Sequence, residues 1–157
     1  MRLSPSRVLL VEDNPNDLEL AQLAFERGRF ANQVDVARDG AEALDYLSAR
    51  GVFAHRDSED LPRVILLDIK LPLIDGIEVL RQIKNDQRLR HIPVVMLTSS
   101  AEDRDLAACY ALGANSYIVK PVDMEQFFSA IQNIGAYWLL LNHPDDHMHT
   151  ADDRDER

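Results

Sequence analysis

Five polar side chains with the potential for chemistry stand at the ends of short apolar runs of the chain. They are Glu12, Asp13, Asp68, Thr98 and Lys120. A short apolar run without polar alternation is typical of a strand buried on both faces, as in a parallel sheet. Because the carboxyl ends of parallel strands meet at one edge of the sheet, we expect these side chains to converge there.

The types of these side chains point to phosphoryl transfer. Three carboxylates close together repel one another and require a cation. Oxygen ligands of this kind suit Mg²⁺, which commonly combines one or two carboxylates with waters and a phosphate oxygen. The hydroxyl of Thr98 and the ammonium of Lys120 suit the oxygens of a phosphoryl group. The set therefore predicts in-line attack on phosphorus by Asp68, with the metal and Lys120 neutralising charge on the phosphoryl group.

Each residue also has an ordinary structural explanation. Asp68 could simply cap the turn that follows it. Glu12 and Asp13 could form a solvated turn, Thr98 could cap a loop, and Lys120 could pair with a surface acid. The inference therefore depends on the joint occurrence of these residues at successive strand ends.

Strands and helices alternate in the segments that must position these residues. The predicted strands are Arg7–Val11, Gln33–Ala37, Val64–Asp68, Pro93–Thr98 and Ser116–Val119. The predicted helices run from Pro15 to Gly28, around 41–47, from Asp75 to Lys84, from Glu102 to Leu112, and from Asp123 to about Leu141. This alternation predicts an α/β fold, a doubly wound five-stranded parallel sheet with helices on both faces. The polar connection 51–63 is long for a loop of this kind, which predicts a surface excursion with its own contacts.

Composition limits the class of protein. The chain has 157 residues and a formal net charge of -10, which fits one domain and gives no general attraction to DNA or to anionic membranes. Cys109 is the single cysteine, so an intramolecular disulfide is excluded and a reducing cytoplasm is expected. No run approaches the ~20 apolar residues of a membrane span, and no signal peptide is expected.

The motifs at the strand ends resemble those of the receiver domains of bacterial two-component response regulators. The matching pieces are Val11-Glu12-Asp13-Asn14, Leu67-Asp68-Ile69 with Leu71-Pro72 and Asp75-Gly76, Leu97-Thr98-Ser99, Gly113-Ala114, and Tyr117-Ile118-Val119-Lys120-Pro121. The resemblance covers about residues 7–141. It implies a flavodoxin-like (CheY-like) sheet with the strand order 2-1-3-4-5.

The resemblance also implies roles for the acidic residues. Asp68 would be the phosphoacceptor, taking its phosphoryl group from a phosphohistidine of a sensor histidine kinase. Asp13, Asp68 and the backbone carbonyl of Lys70 would bind Mg²⁺ directly, and Glu12 would act mainly through water. No required position departs from the family pattern.

Further positions are implied to sense the phosphoryl group. Lys120 would contact it and would pair with acids in its absence. Thr98 would bond a phosphoryl oxygen, and Tyr117 would change its rotamer together with Thr98. A cis peptide bond before Pro121 would direct Lys120 into the site.

The carboxyl-terminal part predicts how the signal leaves. We expect one receiver domain over residues 1–144 with an extended last helix, a disordered acidic tail over 145–157, and no output domain. The end of the last helix is apolar all round, which favours a homodimer; the alternative is that this end folds back on its own domain. The expected dimer surface comprises Phe127, Ile131, Tyr137, Trp138, Leu140 and Leu141.

Two features narrow the resemblance. The long loop 51–63 and the extended last helix resemble the small receivers associated with bacterial phytochrome kinases, so a bacteriophytochrome is an expected kinase partner. Two alternatives stay open. One is a phosphorelay intermediate, which would use the same chemistry at Asp68. The other is an aspartate-nucleophile phosphatase, but that class needs a second Asp where this chain has Lys70.

Overall fold

The structure is a computed structural model and describes residues 7–28 and 33–133. The strands are β1 Arg7–Val11, β2 Gln33–Ala37, β3 Val64–Asp68, β4 Val94–Thr98 and β5 Ser116–Val119. The helices are α1 Pro15–Arg27, α2 Gly40–Ser48, α3 Gly76–Asn85, α4 Asp105–Leu112 and α5 Met124–Asn133, and a short 3-10 helix covers Gly51–Phe53. None of the helices in these two ranges is both long and apolar enough to cross a membrane.

The five strands form one parallel sheet in the order β2-β1-β3-β4-β5, which confirms the predicted fold. The register brings the strand ends level. Val11 lies opposite Leu67, and Asp68 lies opposite Leu97. Because Thr98 in turn lies opposite Val119, the residues that follow β1 and β5 reach the same edge as Asp68.

Two apolar layers hold the sheet in place. Strand side chains alternate between them, so Leu9, Ile65 and Met96 face α2, α3 and α4, whereas Leu10, Leu66 and Val95 face α1 and α5. The five residues of β3 are all buried. A strand without an exposed face needs apolar residues at every position, which is why it appears in the sequence as an uninterrupted run.

The described part of α5 corrects the predicted dimer surface. Phe127 and Ile131 are fully buried, and the ring of Phe127 packs edge-to-face on Phe25 of α1, with 5.0 Å between ring centroids. These two residues belong to the core of the chain, because the apolar stripe of α5 faces its own sheet. Tyr137, Trp138, Leu140, Leu141, the continuation of the helix to about residue 141 and the tail 145–157 lie outside the described residues.

The long connection before β3 makes contacts of its own. The guanidinium of Arg56 stacks over the ring of Tyr46, 3.7 Å from its centroid, and also donates hydrogen bonds to the Tyr46 and Asp60 carbonyls. Arg7 bridges Asp60 at 2.9 Å and Asp35 at 3.0 Å. These bonds fasten the connection to the amino end of the sheet, opposite the edge that carries Asp68.

Helix α4 begins later than predicted. The sequence predicted a start at Glu102, but the helix starts at Asp105. The preceding residues are held in a separate turn, because Asp103 N–H donates to the Ser100 carbonyl at 3.1 Å. The Asp103 side chain then accepts from the N–H of Asp105, the first residue of the helix, at 2.9 Å.

Candidate functional site

Asp68 is the last residue of β3 and is 4% exposed. The loop that follows it folds back tightly, since Gly76 N–H donates to the Ile69 carbonyl at 3.0 Å. A Cβ atom on Gly76 would lie 2.0 Å from the Asp68 carbonyl oxygen, so only glycine allows this approach. The tight loop keeps the Asp68 carboxylate at the edge of the sheet.

Lys120 is surrounded by three carboxylates. Its ammonium Nζ lies 2.8 Å from Asp68 Oδ2, 2.9 Å from Glu12 Oε1 and 3.1 Å from Asp17 Oδ2. Its backbone N–H donates to the Thr98 carbonyl at 2.8 Å, which fixes the start of the side chain, and the peptide bond between Lys120 and Pro121 is cis. The structure thus brings Lys120 to Asp68 and Glu12, as the sequence pattern predicts.

Asp17 is a site residue that the sequence analysis missed. It lies in the first turn of α1, where Asn14 is the N-cap and its side chain accepts from Asn16 N–H and Asp17 N–H. This cap places the start of α1 beside the end of β1 and turns Asp17 toward Lys120. An acid three residues after an N-cap is common for reasons of helix stability alone, so the sequence carried no separate signal for this contact.

Burial and charge shift the pKa values of two groups. Burial, and after it the hydrogen bond with Asp68, raise the pKa of the Glu12 carboxyl to about 7, against the opposing effect of Lys120. Burial lowers the pKa of Lys120, but its hydrogen bonds to Asp68 and Glu12 more than offset this and leave the pKa above its ordinary value. The site therefore holds more negative charge than one lysine neutralises.

The donor set suits a hard divalent cation. Carboxylate oxygens of Glu12, Asp13 and Asp68 lie within 4.8 Å of one another; Glu12 and Asp68 are buried and Asp13 is exposed. Oxygen ligands with one side open to water fit Mg²⁺, which retains several waters when it binds to proteins. The excess negative charge described above gives the cation a reason to bind.

Thr98 is buried at the end of β4 and points toward the loop before α4. Its hydroxyl Oγ1 lies 3.0 Å from the Ser100 carbonyl oxygen and 3.3 Å from Asp103 Oδ2, and it accepts from Ser100 N–H at 3.3 Å. One hydroxyl proton can serve only one of these two acceptors at a time. Asp103 was missed by the sequence analysis, because the contact depends on the course of this loop.

A cleft of about 310 Å³ lies at this edge of the sheet. Its walls include Asp13, Asp17, Asp68, Lys70, Thr98, Asp103 and Lys120. The ammonium of Lys70 lies 3.0 Å from Asp105 Oδ2 and is largely exposed, while its backbone N–H contacts Asp68 Oδ1 at 3.3 Å.

Tyr117 does not line this cleft. It is a half-exposed residue of β5, and its ring stands edge-to-face against Tyr110 of α4 with 6.4 Å between centroids. The ring of Tyr117 therefore connects β5, the strand that leads to Lys120, with α4, the helix that follows the Thr98 loop.

A buried aspartate at a parallel strand end lies here in one cleft with a lysine, a hydroxyl and further acids, an arrangement suited to accept a phosphoryl group. The sequence model of the response regulator receiver domain matches residues 8–132. The chain belongs to the response regulator receiver domain family, a family of phosphoacceptor switches.

Relatives from several organisms match most of the chain. The probable methanogenesis regulatory protein FilR2 of Methanothrix harundinacea is 45% identical over 138 residues, which are 88% of this chain and 86% of that protein. The solved structure of the bacteriophytochrome response regulator AtBRR is 55% identical, with a TM-score of 0.82, and covers 90% of this chain and 100% of that chain.

A third relative was solved with a metal ion. The response regulator Rcp1 of Synechocystis is 36% identical over 86% of this chain and 90% of that protein. Its Mn²⁺-bound structure has a TM-score of 0.69 and covers 86% of this chain and 95% of that chain.

Proposed function

We propose that this chain accepts a phosphoryl group on Asp68 from a phosphohistidine of a sensor histidine kinase, and signals through contacts that depend on this modification. The observation that carries the proposal is the placement of the buried Asp68 within 2.8 Å of Lys120, in one cleft with Asp13 and Thr98. A nucleophilic carboxylate with an ammonium beside it and a hydroxyl in reach is suited to phosphoryl transfer.

The two oxygens of the Asp68 carboxylate have different partners. Oδ2 is bonded to the ammonium of Lys120, whereas Oδ1 accepts a long contact from Lys70 N–H at 3.3 Å. In the proposed step Oδ1 attacks phosphorus while the bond from phosphorus to the donor imidazole nitrogen breaks. The electron pair of that bond leaves with the imidazole, and an acyl phosphate forms on Asp68.

Glu12, Asp13, Asp68 and the backbone carbonyl of Lys70 are proposed to hold Mg²⁺. When bound, the cation neutralises charge on the phosphoryl oxygens. Lys120 supplies a second positive charge, 2.8 Å from Asp68 Oδ2.

Thr98 and Tyr117 are proposed to carry the change outward. The new phosphoryl oxygens are strong acceptors with about −1.5 to −2 charges, so the Thr98 hydroxyl would leave Ser100 and Asp103 to donate to one of them. The loop before α4 then loses a bond, and Tyr117 changes its rotamer between β5 and α4. We further propose a single receiver domain over residues 1–144 that forms a homodimer through Tyr137, Trp138, Leu140 and Leu141.

The partner is proposed to be a histidine kinase of the bacteriophytochrome type. The support is the 55% identity with a bacteriophytochrome response regulator. A phosphorelay intermediate would use the same site. An aspartate-nucleophile phosphatase is disfavoured, because Lys70 stands where a general acid would be needed and its ammonium is paired with Asp105.

The direct test is intact-mass analysis after incubation with acetyl phosphate and Mg²⁺. The parent chain is expected to gain one phosphoryl group, and Asp68→Asn is expected to gain none while keeping its fold by circular dichroism. Asp75→Asn is the matched control, since Asp75 lies in the same loop and its side chain makes no capping hydrogen bond to α3. An Asp68→Asn variant that still gained acid-labile phosphate would contradict the assignment.

A further inference from the structure

Leu73 is an unusual residue for its place in the loop after Asp68. Its φ is +67°, and Ile74 N–H donates to the Pro72 carbonyl at 2.8 Å, which makes Leu73 the centre of a γ-turn of the rare, strained kind. Its side chain is 80% exposed. Glycine or asparagine adopts such a φ with less strain, and a polar side chain suits such exposure. The described fold therefore gives no reason for leucine here.

The loop holds Leu73 outward on a fixed base. Its neighbours Leu71 and Ile74 pack against the core on the side of α2 and α3. A Cβ atom on Gly40 would lie 2.0 Å from the Ile74 carbonyl oxygen, so the start of α2 presses against the loop. Because Leu71 and Ile74 on either side are packed in place, the loop cannot fold inward to bury the Leu73 side chain.

Leu73 lies close to the phosphoacceptor. Gly76 is bonded to the Ile69 carbonyl and touches the Asp68 carbonyl oxygen, and Leu73 is three residues away from Gly76. Three residues span at most about 11 Å. A protein partner that covers roughly 800 Å² of this surface has a footprint with a radius of about 16 Å. A protein interface of this size centred on Asp68 therefore extends as far as Leu73.

We propose that Leu73 is a docking residue for the protein that carries the phosphohistidine donor, and that its side chain enters an apolar contact on that protein during transfer. The inference rests on the proposed function. It adds a residue that serves the protein donor and has no part in the reaction at phosphorus.

The charge of the cleft explains why an apolar contact is needed. Asp13, Asp17 and Asp103 line the cleft beside Asp68, and the donor phosphoryl group is itself negative. Electrostatic attraction between the two proteins at this edge is therefore weak without a cation. Burial of exposed apolar surface is independent of charge and supplies affinity beside the reacting groups.

The test compares a small donor with a protein donor. Leu73→Gly, Leu73→Asn and Leu73→Met are phosphorylated with acetyl phosphate, and in parallel with a bacteriophytochrome histidine kinase autophosphorylated with radiolabelled ATP. Val52→Ser is the matched control, because Val52 is 76% exposed but lies in the 3-10 helix after α2, at the opposite edge of the sheet. The KM and kcat of transfer from the kinase are measured separately.

We expect Leu73→Gly and Leu73→Asn to raise the KM for the kinase about tenfold, which corresponds to about 1.4 kcal/mol, with kcat within threefold of the parent. Leu73→Met is expected to restore the KM, Val52→Ser to leave it unchanged, and all rates with acetyl phosphate to stay within twofold. The proposal is overturned if Leu73→Gly matches the parent with the kinase, or if it loses rate equally with both donors.

Failure of the underlying function would look different. A parent chain that gains no phosphoryl group from either donor contradicts the proposed role of Asp68. A parent chain that accepts from acetyl phosphate but from no phosphohistidine protein keeps that chemistry and overturns the docking role.

Discussion

Replacing Lys120 with methionine removes the only ammonium that contacts both Asp68 and Glu12 among the described residues. The side chain becomes only one atom shorter, so packing changes little, but two buried carboxylates are left facing each other. Breaking a buried ion pair by removing one partner costs about 3–5 kcal/mol. Lys120 is partly open to the cleft, so we expect the lower end, about 3 kcal/mol, which for a domain of this size lowers Tm by roughly 12 °C.

The stability lost in Lys120→Met should depend on pH in a defined direction. The pKa of Glu12 is already raised to about 7, and removal of Lys120 raises it further. A carboxyl whose pKa is higher in the folded state binds more protons when folded, so the folded state loses stability as pH rises from the unfolded value through the folded one. The difference in free energy of unfolding between the variant and the parent is therefore larger at pH 8 than at pH 5.5.

Urea denaturation at both pH values, with and without Mg²⁺, measures these differences. Mg²⁺ should reduce the difference in free energy of unfolding between the variant and the parent. The more negative site of Lys120→Met binds a cation more tightly, and ligand binding stabilises the folded state. Lys70→Met is the matched control, since its ion pair with Asp105 is exposed to solvent and adds little to stability. A Lys120→Met variant as stable as the parent at pH 8 without Mg²⁺ would refute this account of the site.

Two further changes test the metal and the loop. Asp13→Asn should raise the Kd for Mg²⁺ about tenfold or more, since a charged oxygen ligand is lost from the carboxylate cluster; titration calorimetry measures it, and an unchanged Kd would exclude Asp13 as a ligand. Gly76→Ala should destabilise the fold by about 3 kcal/mol or more, since its Cβ would lie 2.0 Å from the Asp68 carbonyl oxygen. Gly28→Ala should cost less, because there the Cβ meets the flexible side chain of Met124; equal losses by urea denaturation would contradict this.

The strands and the main site residues were predictable because parallel sheets follow simple rules. Strands buried on both faces appear as apolar runs, and parallel topology brings their carboxyl ends together, so Asp68, Thr98 and Lys120 could be placed at one edge from the sequence. The start of α4 was harder to predict, because the turn between Ser100 and Asp103 competes with helix formation over the same residues.

Contacts that depend on the course of a loop or on which surface covers a helix could not be predicted. Asp17 carries the ordinary signature of a helix start, and only the position of α1 brings it to Lys120. Phe127 and Ile131 have a spacing that suits either an internal core or an interface between chains. The structure places both in the core, because the same apolar stripe is needed to cover the sheet.

The burial of β3 determines where the effect of phosphorylation can appear. Asp68 ends a strand that is paired on both sides and covered on both faces. The phosphoacceptor is therefore attached to a rigid part of the molecule. A new charge there cannot be relieved by displacing its own strand. The structural change is therefore expected in the loop before α4, which the Thr98 hydroxyl holds through Ser100 and Asp103. Strand β3 thus stays in place while the loop before α4 changes its conformation.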